Sequence, residues 1–163
     1  MEQRDMSLEI FPVALTDQRL TALVAELDDY QSALYPTGSD YVMSLELMAN
    51  SVNYPFLAQS AGQPVGCACL YVGENGIAEI KRVYVAPAGR GKGVASRLIQ
   101  ALEDQLKKLN IQRLFLETGI YQPEAIGLYQ KRGYSLTGPF GDYTFDPLSV
   151  YMVKTFSAIA ENV

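Results

Sequence analysis

The chain has 163 residues, 48% hydrophobic and 19% charged, with a formal net charge of −5 and a sequence pI near 4.7. That is the size and composition of one globular domain over 1–163, with a core large enough to need no metal or disulfide staple, and the negative balance argues against nucleic acid, since no Lys/Arg-rich arm offsets the repulsion of a polyanion. Histidine is absent, which removes the commonest general base and metal ligand and every Ser-His-Asp or Cys-His arrangement, so any catalysis must draw on Glu, Asp, Tyr, Lys or Cys.

The opening MEQRDMSLEIF has no apolar signal core, and no stretch of about 18 apolar residues exists to span a bilayer. No membrane is expected, and a reducing cytoplasm is the expected location. Leu8 to Leu15 reads as a first strand, closed by Thr16 and Asp17 as helix-start residues. Leu20, Leu23, Val24, Leu27 and Leu34 then recur at helical spacing, which predicts an amphipathic helix ending before Pro36. Tyr35 to Asp40, YPTGSD, has the chemistry of a loop, and Val42 to Ala49 that of a second short helix.

Three strands follow, Tyr54 to Gln59, Val65 to Val72 and Ile77 to Val85, separated by AGQP and GENG as hairpin turns would separate them. The only cysteines, Cys67 and Cys69, lie two apart on the middle strand and so share a face. They read as small buried hydrophobes, with a reactive thiol or a disulfide as the lesser alternatives. Val94, Leu98, Ile99, Leu102, Leu106 and Leu109 mark a long helix with one apolar stripe. Arg113 to Glu117 is a short strand, parallel to the one before that helix because a helical crossover joins them. Gln122 to Arg132 is a further helix, with Pro123 at its first position and Gly133 in the left-handed position past its end. Tyr134 to Leu136 and Val150 to Val153 complete the strands, with a loop of Gly, Pro and aromatics over Gly138 to Pro147. The succession is strand, two helices, three meandering strands, helix, strand, helix, two strands, in one mixed α/β layer.

Between the third of the meandering strands and the long helix stands APAGRGKGVAS, with Gly89, Gly91 and Gly93 in five positions. A strand feeding a glycine turn and a helix start gathers free N–H groups in one concave spot, helped by the helix dipole, and such a spot attracts phosphate. A Walker A loop needs Gly-Lys-Ser/Thr, whereas Lys92 is followed by Gly93. The Rossmann spacing puts its third glycine at Val94 or Ser96, so it fails too. The form that fits is a pyrophosphate clamp, R/Q-x-x-G-x-G/A, filled in register by Arg90, Gly91, Lys92, Gly93, Val94 and Ala95; a plain strand-to-helix turn would leave that register unexplained.

In this form VYVAPAGRGKGVASRLI resembles the acetyl-CoA motif of the GNAT N-acetyltransferases, and LETGIYQPEAIGLYQKRGY resembles that family's later strand and helix. The resemblance extends from about Leu8 to Lys154, most closely from Glu79 to Tyr134. It implies the GNAT fold, a mixed and mostly antiparallel sheet of about seven strands flanked by helices, with a parallel pair splayed around the cofactor. It implies acetyl-CoA as co-substrate with no metal, acetylation of an amine in a ternary complex, and a possible homodimer. It also implies that the backbone of Val83 and Val85 pairs with the pantetheine arm while the N–H groups of Arg90 to Ala95 hold the pyrophosphate.

Acetyl transfer needs a neutral amine, a polarised carbonyl and a proton for the departing thiolate. By the same resemblance Tyr129 is the acid facing the cofactor sulfur; otherwise it is a packing aromatic. The resemblance likewise implies Glu79 as the base, on the strand leading to the clamp at a position where several family members place a carboxylate; otherwise it is one half of a cross-strand charge pair. Lys81, Val83 and Val85 share its face if that strand is regular, whereas a bulge would reset the parity. Glu117 is the second carboxylate candidate, and a water relay without a dedicated base is the third possibility. Asp28, Asp29, Tyr30, Tyr35, Tyr41 and Tyr143 are candidates to line the acceptor cleft, as against simple helix-start and turn residues. A small-molecule amine is the first expectation for the acceptor, a protein N-terminus or lysine the second. A non-catalytic acetyl-CoA sensor would need the clamp but neither Tyr129 nor Glu79.

Overall fold

The computed structural model describes residues 7–35 and 52–157. The expected helix over Val42 to Ala49, the loop after Tyr35 and the cleft candidate Tyr41 lie outside the described residues. Strand β1 (Leu8–Pro12) is shorter than its apolar run, and helix α1 (Gln18–Leu34) starts at Asp17, whose carboxylate accepts the Arg19 N–H as an N-cap. Strands β2 (Val52–Ser60), β3 (Gln63–Val72) and β4 (Ala78–Val85) form the expected meander. Ala61 and Gly62 close its first hairpin with φ of +50° and +79°, the two left-handed residues of a tight two-residue turn. Helix α2 (Val94–Lys108), strand β5 (Arg113–Gly119), helix α3 (Pro123–Lys131), strand β6 (Ser135–Thr137) and strand β7 (Ser149–Thr155) follow. Pro123 sits in the first turn of α3, and Gly133 beyond its end has φ +95°.

The seven strands make one sheet in the order β1-β2-β3-β4-β5-β7-β6. Every pairing is antiparallel except β4 with β5. Residues alternate between two cores as a strand requires. Ala58, Ala68 and Leu70 meet Leu98, Ile99 and Leu102 of α2 on one face, while Leu57 and Cys67 meet Leu20, Leu23 and Val24 of α1 on the other. The thiols of Cys67 and Cys69 are buried, and burial pushes both up to about 12, so they stay protonated and pack as small hydrophobes. Among the described residues no helix is long and apolar enough to cross a membrane.

Two features of the sheet open the site. The parallel pairing of β4 and β5 runs only from Ala78 with Leu114 to Ile80 with Leu116, after which the strands part. At that point β4 carries a bulge: Cys69 pairs with Lys81 but Cys67 with Tyr84, so Arg82 and Val83 together oppose Ala68. Arg82 takes the extra turn with φ +60°. The bulge corrects the parity expected of a regular strand. Val83 and Val85 join Ile80 in the core beneath α2, whereas Tyr84 joins the core beneath α1, so the two valines do not share a face with Glu79 and Lys81.

Candidate active site

A cavity of about 640 Å³ fills the space where β4 and β5 part. Of the residues singled out in the sequence, Glu79, Val83, Val85, Arg90, Ala95 and Glu117 line it, as does Tyr129. So do Tyr30 of α1, Tyr35 just past its C-terminal end and the loop residue Tyr143. Gly91, Lys92, Gly93 and Val94 form the turn at its mouth without lining it, and Asp28 stands behind the wall, paired with Arg82.

The glycines of the turn serve separate ends. Gly89 is buried, and a Cβ there would come within 2.9 Å of Val65 Cβ and 3.0 Å of its carbonyl oxygen. Gly91 and Gly93 instead have φ of +77° and +73°, a backbone that side chains with a Cβ rarely adopt. Next to Gly91 the Cβ position is open space. Gly93 begins α2 with no side-chain cap, and the Arg97 N–H is bonded back to Gly93 O at 3.2 Å. The N–H groups of a helix's first turn have no intrahelical acceptor, and this turn is flanked by Arg90 and Ala95, which line the cavity. That arrangement fits a diphosphate held by backbone alone. Arg90 Nε reaches Val85 O at 3.4 Å, which places a cation at the same edge of β4.

On the inner wall, Tyr129 projects from α3 into the core with its ring edge-on to Tyr134 at 5.8 Å. Burial raises its phenol well above the ordinary range, so the group holds its proton at every working pH. Opposite, on β4, Glu79 is buried and tied twice. Tyr143 Oη donates to Glu79 Oε2 at 2.6 Å, and Lys81 Nζ lies 3.1 Å from the same oxygen while also donating to Tyr143 Oη at 2.9 Å. Burial raises Glu79 above the usual carboxylate range, with Lys81 and the tyrosine hydroxyl pulling the other way.

Glu117 on β5 has no such anchor of its own charge. Burial first, and then the charge of Glu79 on the neighbouring strand, push it up to about 7, against the counter-pull of Lys81 and a hydrogen bond with Ser149. A carboxylate poised near neutrality in a cleft is the form a general base takes.

Two further contributors, Arg82 and Gln122, had no distinct signal in the sequence, whereas a third, Lys81, lies on the face of Glu79 as alternation along the strand predicts. Arg82 is buried on the α1 side of the cavity and bonded to Asp28 Oδ1 at 2.9 Å. Lys81 supplies the cation beside Glu79. Gln122 accepts from Tyr35 Oη at 3.2 Å and from the Gly119 N–H at 3.4 Å, joining α1 to the end of β5. Gly119 is required there, because a Cβ would collide with the Tyr35 ring.

The sequence profile described as the Acetyltransferase (GNAT) family matches residues 20–134. The chain is 39% identical over 133 residues to a protein of Azospirillum brasilense named IAA acetyltransferase, a match covering 81% of this chain and 87% of that one. Among solved structures it is similar to a Klebsiella pneumoniae protein described as an acyl-CoA N-acyltransferase, with 34% identity, a TM-score of 0.78, and coverage of 92% of this chain and 98% of that one. The fold is also that of a GNAT family acetyltransferase of Elizabethkingia anophelis with acetyl-CoA bound, at 18% identity and a TM-score of 0.69 over 93% of this chain and 99% of that one.

Proposed function

The chain belongs to the GNAT family of acetyltransferases, and from that premise we propose that it moves an acetyl group from acetyl-CoA to the primary amine of a small molecule. The observation that carries this reading is the meeting of the glycine turn, Tyr129 and Glu117 around one cavity. Its volume of about 640 Å³ is of the size small molecules occupy, and likeness to a protein named IAA acetyltransferase supports a small molecule as acceptor.

In this reading the N–H groups of Arg90 to Ala95 hold the pyrophosphate, and the parted edge of β4 at Val83 and Val85 receives the pantetheine arm. Acetyl-CoA, as substrate, supplies the acetyl thioester, whose C–S bond breaks as the amide C–N bond forms. The amine enters neutral, and Glu117 accepts the proton that its nitrogen sheds as the C–N bond forms. Burial, with the charge of Glu79 second, keeps Glu117 near neutrality, and Glu79 is itself kept in place by Lys81 and Tyr143. Tyr129, neutral at every working pH, donates its hydroxyl proton toward the departing sulfur. Because burial makes that phenol a weaker acid than in water, it acts as a hydrogen-bond donor that completes proton transfer only as the thiolate charge develops.

The test is release of free thiol from acetyl-CoA across a panel of primary amines, with the product identified by mass spectrometry. Amine-dependent release with one acetylated amine per thiol is expected. Slow thiol release with no dependence on any amine would overturn transfer in favour of an acetyl-CoA sensor.

A further inference from the structure

Arg82 stands apart from the machinery above. Arg82 is a lining residue of the cavity, and its side chain is buried, the residue being 8% exposed. Nη1 is bonded to Asp28 Oδ1 at 2.9 Å, but Nη2 is buried with no hydrogen-bond partner among the described residues. Buried guanidinium nitrogens are rarely left in that state, since each carries donors that water would otherwise satisfy. The pairing with Asp28 is also one-sided, because the Asp28 side chain is 44% exposed while that of Arg82 is 5% exposed. Burial accordingly pulls the guanidinium below its usual pKa, with Asp28 restoring part of the difference.

The position is built. Arg82 is the left-handed residue of the β4 bulge, a conformation uncommon outside glycine, and its carbonyl accepts from Cys67 Sγ at 3.4 Å. Its side chain is directed to α1, on the opposite face of the sheet from the core that holds Tyr129 and α2. That separates it from the glycine turn and assigns it to the part of the cavity walled by Leu27, Tyr30, Gln31 and Tyr35. Of the other cations that line the cavity, Lys81 is already engaged with Glu79 and Tyr143, and Arg90 lies at the glycine turn with Nε on Val85 O.

We propose that Arg82 binds a carboxylate of the acceptor, so that the molecule acetylated is an amino acid, with its amine at Glu117 and its carboxylate on the unpartnered Nη2. This rests on the acetyl-transfer reading above. The fork of a guanidinium suits a planar two-oxygen anion, and the bond from Nη1 to Asp28 fixes the plane in which Nη2 lies. The aromatic wall of α1 leaves room for an apolar side chain.

The experiment compares amino acids with the amines that lack only the carboxylate: phenylalanine with phenethylamine, and leucine with 3-methylbutylamine. Rates are normalised to the fraction of neutral amine, since the carboxylate alters the basicity of its neighbour. Wild-type kcat/KM is expected to favour each amino acid by at least tenfold, mostly through KM. Arg82→Gln is expected to lower kcat/KM for the amino acid at least tenfold more than for its decarboxylated partner. Independently of turnover, phenylalanine is expected to raise the Tm of the wild type where phenethylamine at equal concentration does not. Equal use of both members of each pair, or an equal loss of both in Arg82→Gln, overturns the carboxylate site while leaving acetyl transfer standing. Should Arg82→Gln fail to fold, the wild-type pairs and the Tm comparison decide alone. Acetylation of none of these amines, or of any in the wider panel, is instead the failure of the acetyl-transfer reading.

Discussion

Tyr143 donates a 2.6 Å hydrogen bond to Glu79, fastening the loop between β6 and β7 to the strand that leads into the glycine turn. The same loop lays Phe140 on Phe115 with ring centroids 4.7 Å apart and Tyr143 against Tyr151 at 5.8 Å, so the hydroxyl is fixed by packing before it bonds. A hydrogen bond to a carboxylate in such a place contributes about 1.5–3 kcal/mol. Tyr143→Phe is therefore expected to lower the free energy of unfolding by about that amount in urea titrations at pH 7. An unchanged midpoint would show that the bond contributes nothing.

Glu117 links folding to pH. Its folded pKa is raised to about 7 from an ordinary 4.5, so the folded state holds this proton more tightly than the unfolded chain does. The sign follows: stability is full below pH 4.5 and is lost as pH rises to 7. The loss is on the order of 3 kcal/mol, since a tenfold change in proton affinity is worth about 1.4 kcal/mol. Glu117→Gln, neutral at all pH, should match the wild type near pH 4 and exceed it in Tm at pH 8. Equal Tm values at pH 8 would mean that the ionised carboxylate is not penalised in the folded protein.

For Tyr129 the expectation is kinetic. Tyr129→Phe keeps the ring against Tyr134 and removes only the donor, so kcat should fall by roughly 10²- to 10⁴-fold. The Kd for acetyl-CoA, by calorimetry, should change little, since the proposed binding groups are backbone. A wild-type kcat in this variant would assign the proton to another donor.

Gly93→Val tests the turn. A β-branched residue is strained at φ +73°, and the helix start would have to reorganise to accept it. Acetyl-CoA affinity should weaken by tenfold or more while the far-UV spectrum remains that of the wild type. Unaltered affinity would refute the cradle.

Much of this was readable in the chain itself, where the determinant is local. Asp17 capping α1, Pro123 opening α3 and Gly133 closing it each act within a few residues, and each is found where the sequence puts it. The glycine turn was legible for the same reason. What was not legible depends on register. The bulge at Arg82 arises from its pairing with β3, and nothing in IKRVYV marks a non-glycine residue as left-handed. Glu103 lies in the apolar stripe of α2, yet it is 2% exposed because Arg132, Tyr134 and Lys154, 29, 31 and 51 residues away, converge on it. Likewise alternation along the strand put Lys81 beside Glu79, while the second tie that distinguishes Glu79 from Glu117 comes from a loop residue 64 positions on.

The division of labour between those two carboxylates is the centre of the account, and the pH profile of kcat/KM tests it most directly. Two protons must leave before reaction, one from Glu117 and one from the amine. The logarithm of kcat/KM should therefore rise with slope two below pH 7, and with slope one from there to the amine's own pKa. In Glu117→Gln the break near pH 7 should vanish, with the rate down by roughly 10²- to 10⁴-fold. In Glu79→Gln the break should persist but move below pH 7, because the charge that holds Glu117 up has gone and Lys81 is freed to pull it down. A break near pH 7 that survives in Glu117→Gln and disappears in Glu79→Gln would contradict the account and make Glu79 the base.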